Sequence, residues 1–227
     1  MLLSIIIPLY NEELTIGNII DRTEKVMEKT GLEFEVIVVD DRSCDKSLNV
    51  AKEHNAKIFT LKHHFGKGYA LRAGFAQAKG NIIVTIDSDG SHKPEELLRV
   101  LTPVLENKAD LVIGSRYMNH NRIAARKLND FGVKLFNHFI ELLTGVAFTD
   151  SQSGYRAMKR EVLKSQKLKS REYEIESEML MKTVKQNFRV IEVPVSFEQR
   201  AYGSSNIDPM FDGFKILISI VLANMKA

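Results

Sequence analysis

Two aspartates, Asp87 and Asp89, stand one residue apart at the end of an apolar run in the stretch "VTIDSDGSH". If the backbone turns between them, both carboxylates reach one point. Oxygen-only ligands of this kind suit a hard divalent cation, Mg²⁺ or Mn²⁺, which keeps water or substrate phosphate in its other positions. The alternative is a plain turn, because Asp and Gly are also what loops use. A second acidic pair, Asp40-Asp41, closes the apolar run "FEVIVVD". It reads either as part of the same site or as the cap of a turn containing Ser43 and Asp45. Tyr10-Asn11-Glu12 follows "LSIIIPL", and Ser115-Arg116 closes "ADLVIGS".

The elements that must position these groups alternate in a βα rhythm. Strands are predicted at "LSIIIPL", "FEVIVVD", "AKIFTL", "NIIVTID" and "ADLVIGS". Helices fall between them: "EELTIGNIIDRTEKVMEKT", a segment near Lys46 to His54, Lys67 to Ala78, and "PEELLRVLTPVLEN" with Pro94 at its start. Near-continuous Val and Ile runs with short connections predict parallel strands buried on both faces. In a doubly wound sheet of this kind, ligands bind beyond the carboxyl ends of the strands, and all four polar clusters sit at those ends. After Arg116 the rhythm changes. A basic stretch, "RYMNHNRIAARKLND", leads to a helix at "FGVKLFNHFIELLTG", then "TDSQSGYRAMKR", a helix in "YEIESEMLMKTVKQ", a strand at "RVIEVPVSF" and a loop, "EQRAYGSSNIDP". The last segment, Met210 to Ala227, reads as a helix apolar on one side. With no repeats and no linker, one domain spanning 1–227 is expected.

Bulk properties are those of an ordinary globular chain: 227 residues, 44% hydrophobic, 27% charged. A net charge of +3 gives no global reason to expect nucleic acid as a partner. The single cysteine, Cys44, excludes an intrachain disulfide and fits a reducing compartment. The opening "MLLSIIIPLYNEE" reads as a strand rather than a signal peptide. The apolar segment "FKILISIVLANMKA" is too short to span a bilayer, which takes about 18 apolar residues or more. His63, His64, His92 and His138 show no metal-ligand pairing and read as structural or surface residues. Glu174, Glu176 and Glu178 read mostly as a solvated helix face, with one of them able to point into the cleft, and "GKGYALRAG" lacks the register of a dinucleotide fingerprint.

Seven blocks, "IIIPLYNEE", "VIVVDDRSCD", "GKGYALRAGFAQAKG", "IDSDGSHKPEEL", "DLVIGSRY", "TDSQSGYRAM" and "VPVSFEQRAYGSS", occur in order over nearly all of residues 3 to 215. Together they resemble the inverting family 2 glycosyltransferases, and within them the polyprenyl-phosphate (dolichyl-phosphate) sugar synthases. The resemblance implies an α/β GT-A fold: a doubly wound, mostly parallel sheet with a helix-rich C-terminal part. Residues 1–116 would form the nucleotide-sugar half, 117–209 the acceptor half, and 210–227 an apolar helix that either packs on the core or lies in a membrane interface.

The resemblance also implies roles. Pro8, Tyr10 and Glu12 would line the nucleoside pocket. Asp40, with Asp41 beside it, would contact base or ribose, and Lys67 and Gly68 would let the backbone approach the nucleotide. Asp87 and Asp89 would hold Mg²⁺ or Mn²⁺ on the diphosphate. Arg116 and Arg200 would complete the catalytic set with Asp89, Arg200 in a closing loop with Ser205 and Asn206. Two positions depart from the family pattern: Ser91 stands where a glutamine is common, and Asn206 where the loop carries lysine. Arg126, or Arg122, would supply charge for the acceptor phosphate.

The implied partners are a nucleotide sugar (GDP-mannose or a UDP-sugar), a polyprenyl phosphate and a membrane surface, with the enzyme peripheral at the cytoplasmic face. A phosphate acceptor is already anionic and needs positioning more than a base. A saccharide hydroxyl would need a general base, for which Glu178, Glu176 and Asp150 are candidates. Two rivals remain. "IDSDGS" also resembles the nucleophile loop of haloacid-dehalogenase-type phosphatases, although here it follows four βα units and no later acidic pair follows a strand. A receiver-like phosphoacceptor domain built on Asp40-Asp41 and Asp87 is the other, and its length and second half fit poorly.

Overall fold

The run of branched apolar residues in β1 (Leu2–Leu9) is buried from Leu3 onward, so the strand lies inside a sheet covered on both faces. The computed structural model describes residues 1–118, 127–198 and 211–225, and of residues 127–130 the backbone alone. Around β1 stand β2 (Glu33–Asp40), β3 (Lys57–Thr60), β4 (Ile82–Thr85), β5 (Leu111–Ser115), β6 (Arg156–Lys159) and β7 (Val190–Pro194), in the order β3-β2-β1-β4-β6-β5-β7. The helices are α1 (Ile16–Glu28), α2 (Ser47–Lys52), α3 (Lys67–Gln77), α4 (Leu97–Leu105), α5 (Lys127–Thr144), α6 (Arg160–Lys164), α7 (Ile175–Lys185) and α8 (Phe211–Met225); a 3₁₀ turn at Pro94–Glu96 precedes α4.

Successive side chains of a strand point to opposite faces, and β1 shows the division. Leu3, Ile5, Ile7 and Leu9 join a core with Ile16, Ile19 and Ile20 of α1 and Leu97, Val100 and Leu101 at α4. Ile6 joins the other core, with Ala70 and Leu71 of α3, Met179 and Leu180 of α7, and Ile216 and Ile220 of α8. Every element expected in the first half is present.

β5, the next strand of the parallel half in chain order, does not pair with β4. β6 lies between β4 and β5, antiparallel to both. Two reversals restore the direction, so β5 still ends on the same edge as β1, β2 and β4, and β7 runs parallel to it. β6 is four residues long and opens with an arginine, which hid it from pattern reading. Arg156 is fully buried, and its guanidinium donates to the carbonyls of Ser153 (2.8 Å), Glu176 (2.8 Å) and Ser151 (2.7 Å). The resulting strand order also differs from the 2-1-3-4-5 order of receiver domains, which removes that alternative.

The C-terminal helix departs from the expectation of one apolar side. Ile216, Ile220 and Ala223 of α8 are buried, while Phe211, Phe214, Ile218, Val221, Leu222 and Met225 are exposed. The exposed set recurs at three- and four-residue intervals, a second apolar stripe facing outward.

Gly80 enters β4 against the backbone of β1. A Cβ built there would lie 2.5 Å from the Ser4 nitrogen and 2.7 Å from the Leu3 carbonyl carbon, both backbone atoms that cannot yield cheaply. Gly80→Ala is expected to lower stability by about 1–3 kcal/mol, read as a drop in the urea midpoint at unchanged slope. A midpoint equal to the parent's would contradict this packing.

Candidate active site at the carboxyl ends of the strands

The main chain leaves β4 through Ile86, whose amide still donates to Ile6 (3.2 Å), and then presents Asp87. Gly90 takes a positive φ of 78°, a turn conformation that glycine adopts without steric cost. This bends the chain so that the Ser91 amide and hydroxyl donate to Asp89 Oδ1 at 3.0 and 2.6 Å. Ser91, at the position where the family commonly has glutamine, thus orients Asp89. The segment after β7 clamps the same turn: Glu198 donates its amide to the Ser91 carbonyl (2.9 Å), and Lys93 pairs with Glu198 (2.7 Å). Thr15 ties the Ser88 carbonyl from the other side (2.7 Å).

Lys67 reaches this turn from the start of α3. Its approach is set by Asp41, whose two oxygens accept the amides of Phe65 (2.8 Å) and Gly66 (2.7 Å) and which also pairs with His64 (2.8 Å). The Lys67 ammonium lies 2.7 Å from Asp87 Oδ1 and 2.9 Å from Glu176 Oε1 of α7. Gly154 of the "SGYR" block forms the wall behind the pair: a Cβ there would fall 2.8 Å from Asp87 Oδ2 and from the Lys67 nitrogen. Burial works against the charged forms of both partners. For Lys67 the charges of Asp87 and Glu176 outweigh it and hold the ammonium above its ordinary value. For Asp87 the Lys67 charge does so, aided by His92 and Arg116, and the carboxyl sits below its usual range.

Arg116, at the end of β5, is gripped by Asp150. Its Nε and Nη2 donate to the two carboxylate oxygens at 2.6 and 2.7 Å, and its backbone amide adds a third bond at 3.0 Å. Glu192 of β7 fixes Asp150 in turn by accepting the amides of Thr149 and Asp150, both at 2.7 Å. Burial opposes the Arg116 charge, and Asp150 more than compensates, so the guanidinium is held firmly protonated. Its carbon lies 5.1 Å from the Phe197 ring centre.

The remaining expected residues divide. Tyr10 stacks on His64 with ring centres 4.0 Å apart and planes 19° apart, a flat aromatic shelf beside β1. Pro8 lies within β1 opposite Val39, and the Glu12 amide donates to Ser47 Oγ (2.6 Å). Asp40 accepts the Ser43 amide (3.0 Å), the turn-capping alternative. Gly68 makes its close approach to protein: a Cβ would lie 2.7 Å from the Glu172 carbonyl oxygen. Arg122, Arg126, Arg200, Ser205 and Asn206 lie outside the described residues.

One expectation needs correction. Glu176 and Glu178 are buried rather than solvated, and they serve opposite sides of α7. Glu176 meets Lys67, whereas Glu178 accepts the amides of Lys169 and Ser170 and pairs with Lys182. Of the two readings of His92, structural or surface, the structural one holds: it is buried beside the site with Nδ1 3.9 Å from Asp87 Oδ2 and its ring against Tyr155 and Phe197. Burial pushes its pKa down and outweighs the opposing pull of Asp87. No spacing in the sequence announced the pairing of Glu176 with Lys67 or the place of His92 beside Asp87.

Among the described residues no group of three or more His, Cys, Asp or Glu side chains forms a ready metal cage. Asp87 and Asp89, on one turn, are oxygen donors of the kind a hard divalent cation takes, and a cation held by two carboxylates would draw its other ligands from phosphate and water.

The family described as Glycosyl transferase family 2 matches residues 4–166. The chain is 30% identical over 250 residues to the UDP-N-acetylglucosamine–dolichyl-phosphate N-acetylglucosaminyltransferase of Methanococcus voltae, covering 99% of the chain and 96% of that protein. It is 31% identical over 215 residues to the dolichol-phosphate mannosyltransferase of Pyrococcus furiosus, covering 91% of the chain and 59% of that protein. Its fold matches glucosyl-3-phosphoglycerate synthase from Mycobacterium tuberculosis, solved with Mn²⁺, UDP and phosphoglyceric acid, with a TM-score of 0.78 at 23% identity over 98% of the chain and 78% of that structure. With a mostly parallel GT-A sheet and acidic turns at its carboxyl edge, the chain belongs to glycosyl transferase family 2, the sugar-transferring enzymes.

Proposed function

We propose that the protein transfers a sugar, with inversion, from a nucleotide sugar to a polyprenyl phosphate. The observation that carries this reading concerns the three carboxylates weighed as general bases. Each is engaged by a cation: Asp150 by Arg116, Glu176 by Lys67, Glu178 by Lys182. An acceptor hydroxyl would need one of them free, whereas a phosphate monoester brings its own anionic oxygen and needs only positioning. The names of the Methanococcus and Pyrococcus relatives, both acting on dolichyl phosphate, support the same acceptor class. The donor is a UDP- or GDP-sugar.

In this reading residues 1–116 bind the donor, with Tyr10 and Glu12 near the nucleoside and Asp40 and Asp41 bracing the turns around it. Asp87 and Asp89 would hold Mg²⁺ or Mn²⁺, which supplies Lewis-acid neutralisation of the departing diphosphate. Arg116 adds fixed positive charge preorganised by Asp150, so little reorganisation is needed as charge develops. Residues 117–209 receive the acceptor, with Arg126 assigned to its phosphate and Arg200, Ser205 and Asn206 to the loop that covers the donor. Among the described residues no helix is long and apolar enough to cross a membrane. The outward stripe of α8, beside the exposed Phe131, Leu135 and Leu142 of α5, suits a helix lying in the bilayer interface at the cytoplasmic face.

Asp89→Ala is expected to cut transfer of radiolabelled sugar into an organic-extractable polyprenyl product by at least about a hundredfold, with the circular dichroism spectrum preserved. Turnover equal to the parent's would rule out the metal assignment. Exchanging Phe214 and Ile218 together for glutamate is expected to release the protein from vesicles in a flotation assay, while the folded fraction stays constant. Unchanged flotation would show that this face does not meet the bilayer.

A further inference from the structure

Glu176 stands at the site without the usual partners of a buried carboxylate. Its carboxylate is 4% exposed, and among the described residues it accepts no hydrogen bond from backbone, hydroxyl or amide groups. Burying an ionised carboxylate without a partner costs several kcal/mol, and among the described residues the Lys67 ammonium is the one side-chain cation paired with it. The same ammonium is the closest charge to Asp87, at 2.7 Å. Gly154 fills the space behind the trio, so no further side chain enters from that side. One cation thus serves two carboxylates, and one of those is the carboxylate assigned to the metal.

We propose that Lys67 is the resident stand-in for the divalent cation. Without metal, its ammonium neutralises Asp87 and keeps the turn in place. When a cation takes Asp87, Glu176 retains the lysine, and the donor bond released from Asp87 is offered to the nucleotide diphosphate. Lys67 therefore opposes binding of the bare cation and favours binding of the cation together with a diphosphate. Through it the two ligands tighten each other, and such coupling is reciprocal. The inference rests on the assignment of Asp87 and Asp89 as metal ligands.

The test is equilibrium Mn²⁺ binding, read from the electron paramagnetic resonance signal of free Mn²⁺, with and without UDP or GDP, on proteins whose fold is checked by circular dichroism. Lys67→Met is expected to bind bare Mn²⁺ about tenfold more tightly than the parent, the order expected for removing one close like charge. The nucleotide-induced tightening should shrink in the same variant. Glu176→Gln is expected to move the other way, weakening bare Mn²⁺, because the lysine then rests on Asp87 alone. If Lys67→Met does not fold, the double variant Lys67→Met/Glu176→Gln, which buries neither charge, should still bind bare Mn²⁺ more tightly than the parent. A merely structural role would weaken binding in all of these. Folded variants in which loss of Lys67 leaves Mn²⁺ affinity unchanged or reduced would overturn the inference. If the parent itself binds no Mn²⁺, or Asp89→Ala binds it as the parent does, the underlying metal assignment fails instead.

Discussion

Carboxylates gathered at one edge of a sheet repel one another and resist burial, and a protein can keep them together only by giving each a cation or a set of amides. That requirement organises this molecule. Asp87 and Glu176 share Lys67, Asp150 holds Arg116, and Asp41 and Glu178 are filled with backbone amides. These charges are spread over several elements, so satisfying them ties together the start of α3, the ends of β2, β4 and β5, the turn before β6 and the first turn of α7. The acidic edge is thereby preorganised before any ligand arrives, which is where fixed electrostatics contribute most to catalysis.

The sheet topology exists to deliver those groups to one place. Parallel β1, β2 and β4 bring three strand ends side by side. The antiparallel insertion of β6 then carries Asp150 and Gly154 to the same edge from the opposite direction. Gly154 is small because Asp87 and Lys67 occupy the volume a side chain would need. Arg156, two residues on, holds the turn by donating to three carbonyls, one of them from α7. The second half of the chain therefore builds part of the same acidic edge as the first.

The parallel half was legible in sequence because its strands, buried on both faces, leave unbroken Val and Ile runs that end in polar clusters. β6 was not, because four residues led by an arginine carry no strand pattern, and Arg156 is tolerated in the core only through partners distant in sequence. The same reason hid the partner of Glu176, which the sequence offered only as a candidate base: whether a glutamate on a helix faces water or an ammonium depends on what packs against it, and Lys67 lies more than a hundred residues away. His92 was equally silent, since its burial is set by Tyr155 and Phe197 from other elements. In α8 the composition was clear and the direction was not, because both faces are apolar.

The central claim is that Asp87 and Asp89 place a divalent cation on the diphosphate of the donor. Electron-nuclear double resonance on the complex with Mn²⁺ and a nucleoside diphosphate measures this directly, through the coupling between the metal and the phosphorus nuclei. The account predicts a strong phosphorus coupling in the parent that disappears in Asp89→Ala. A coupling that persists unchanged in that variant would contradict it.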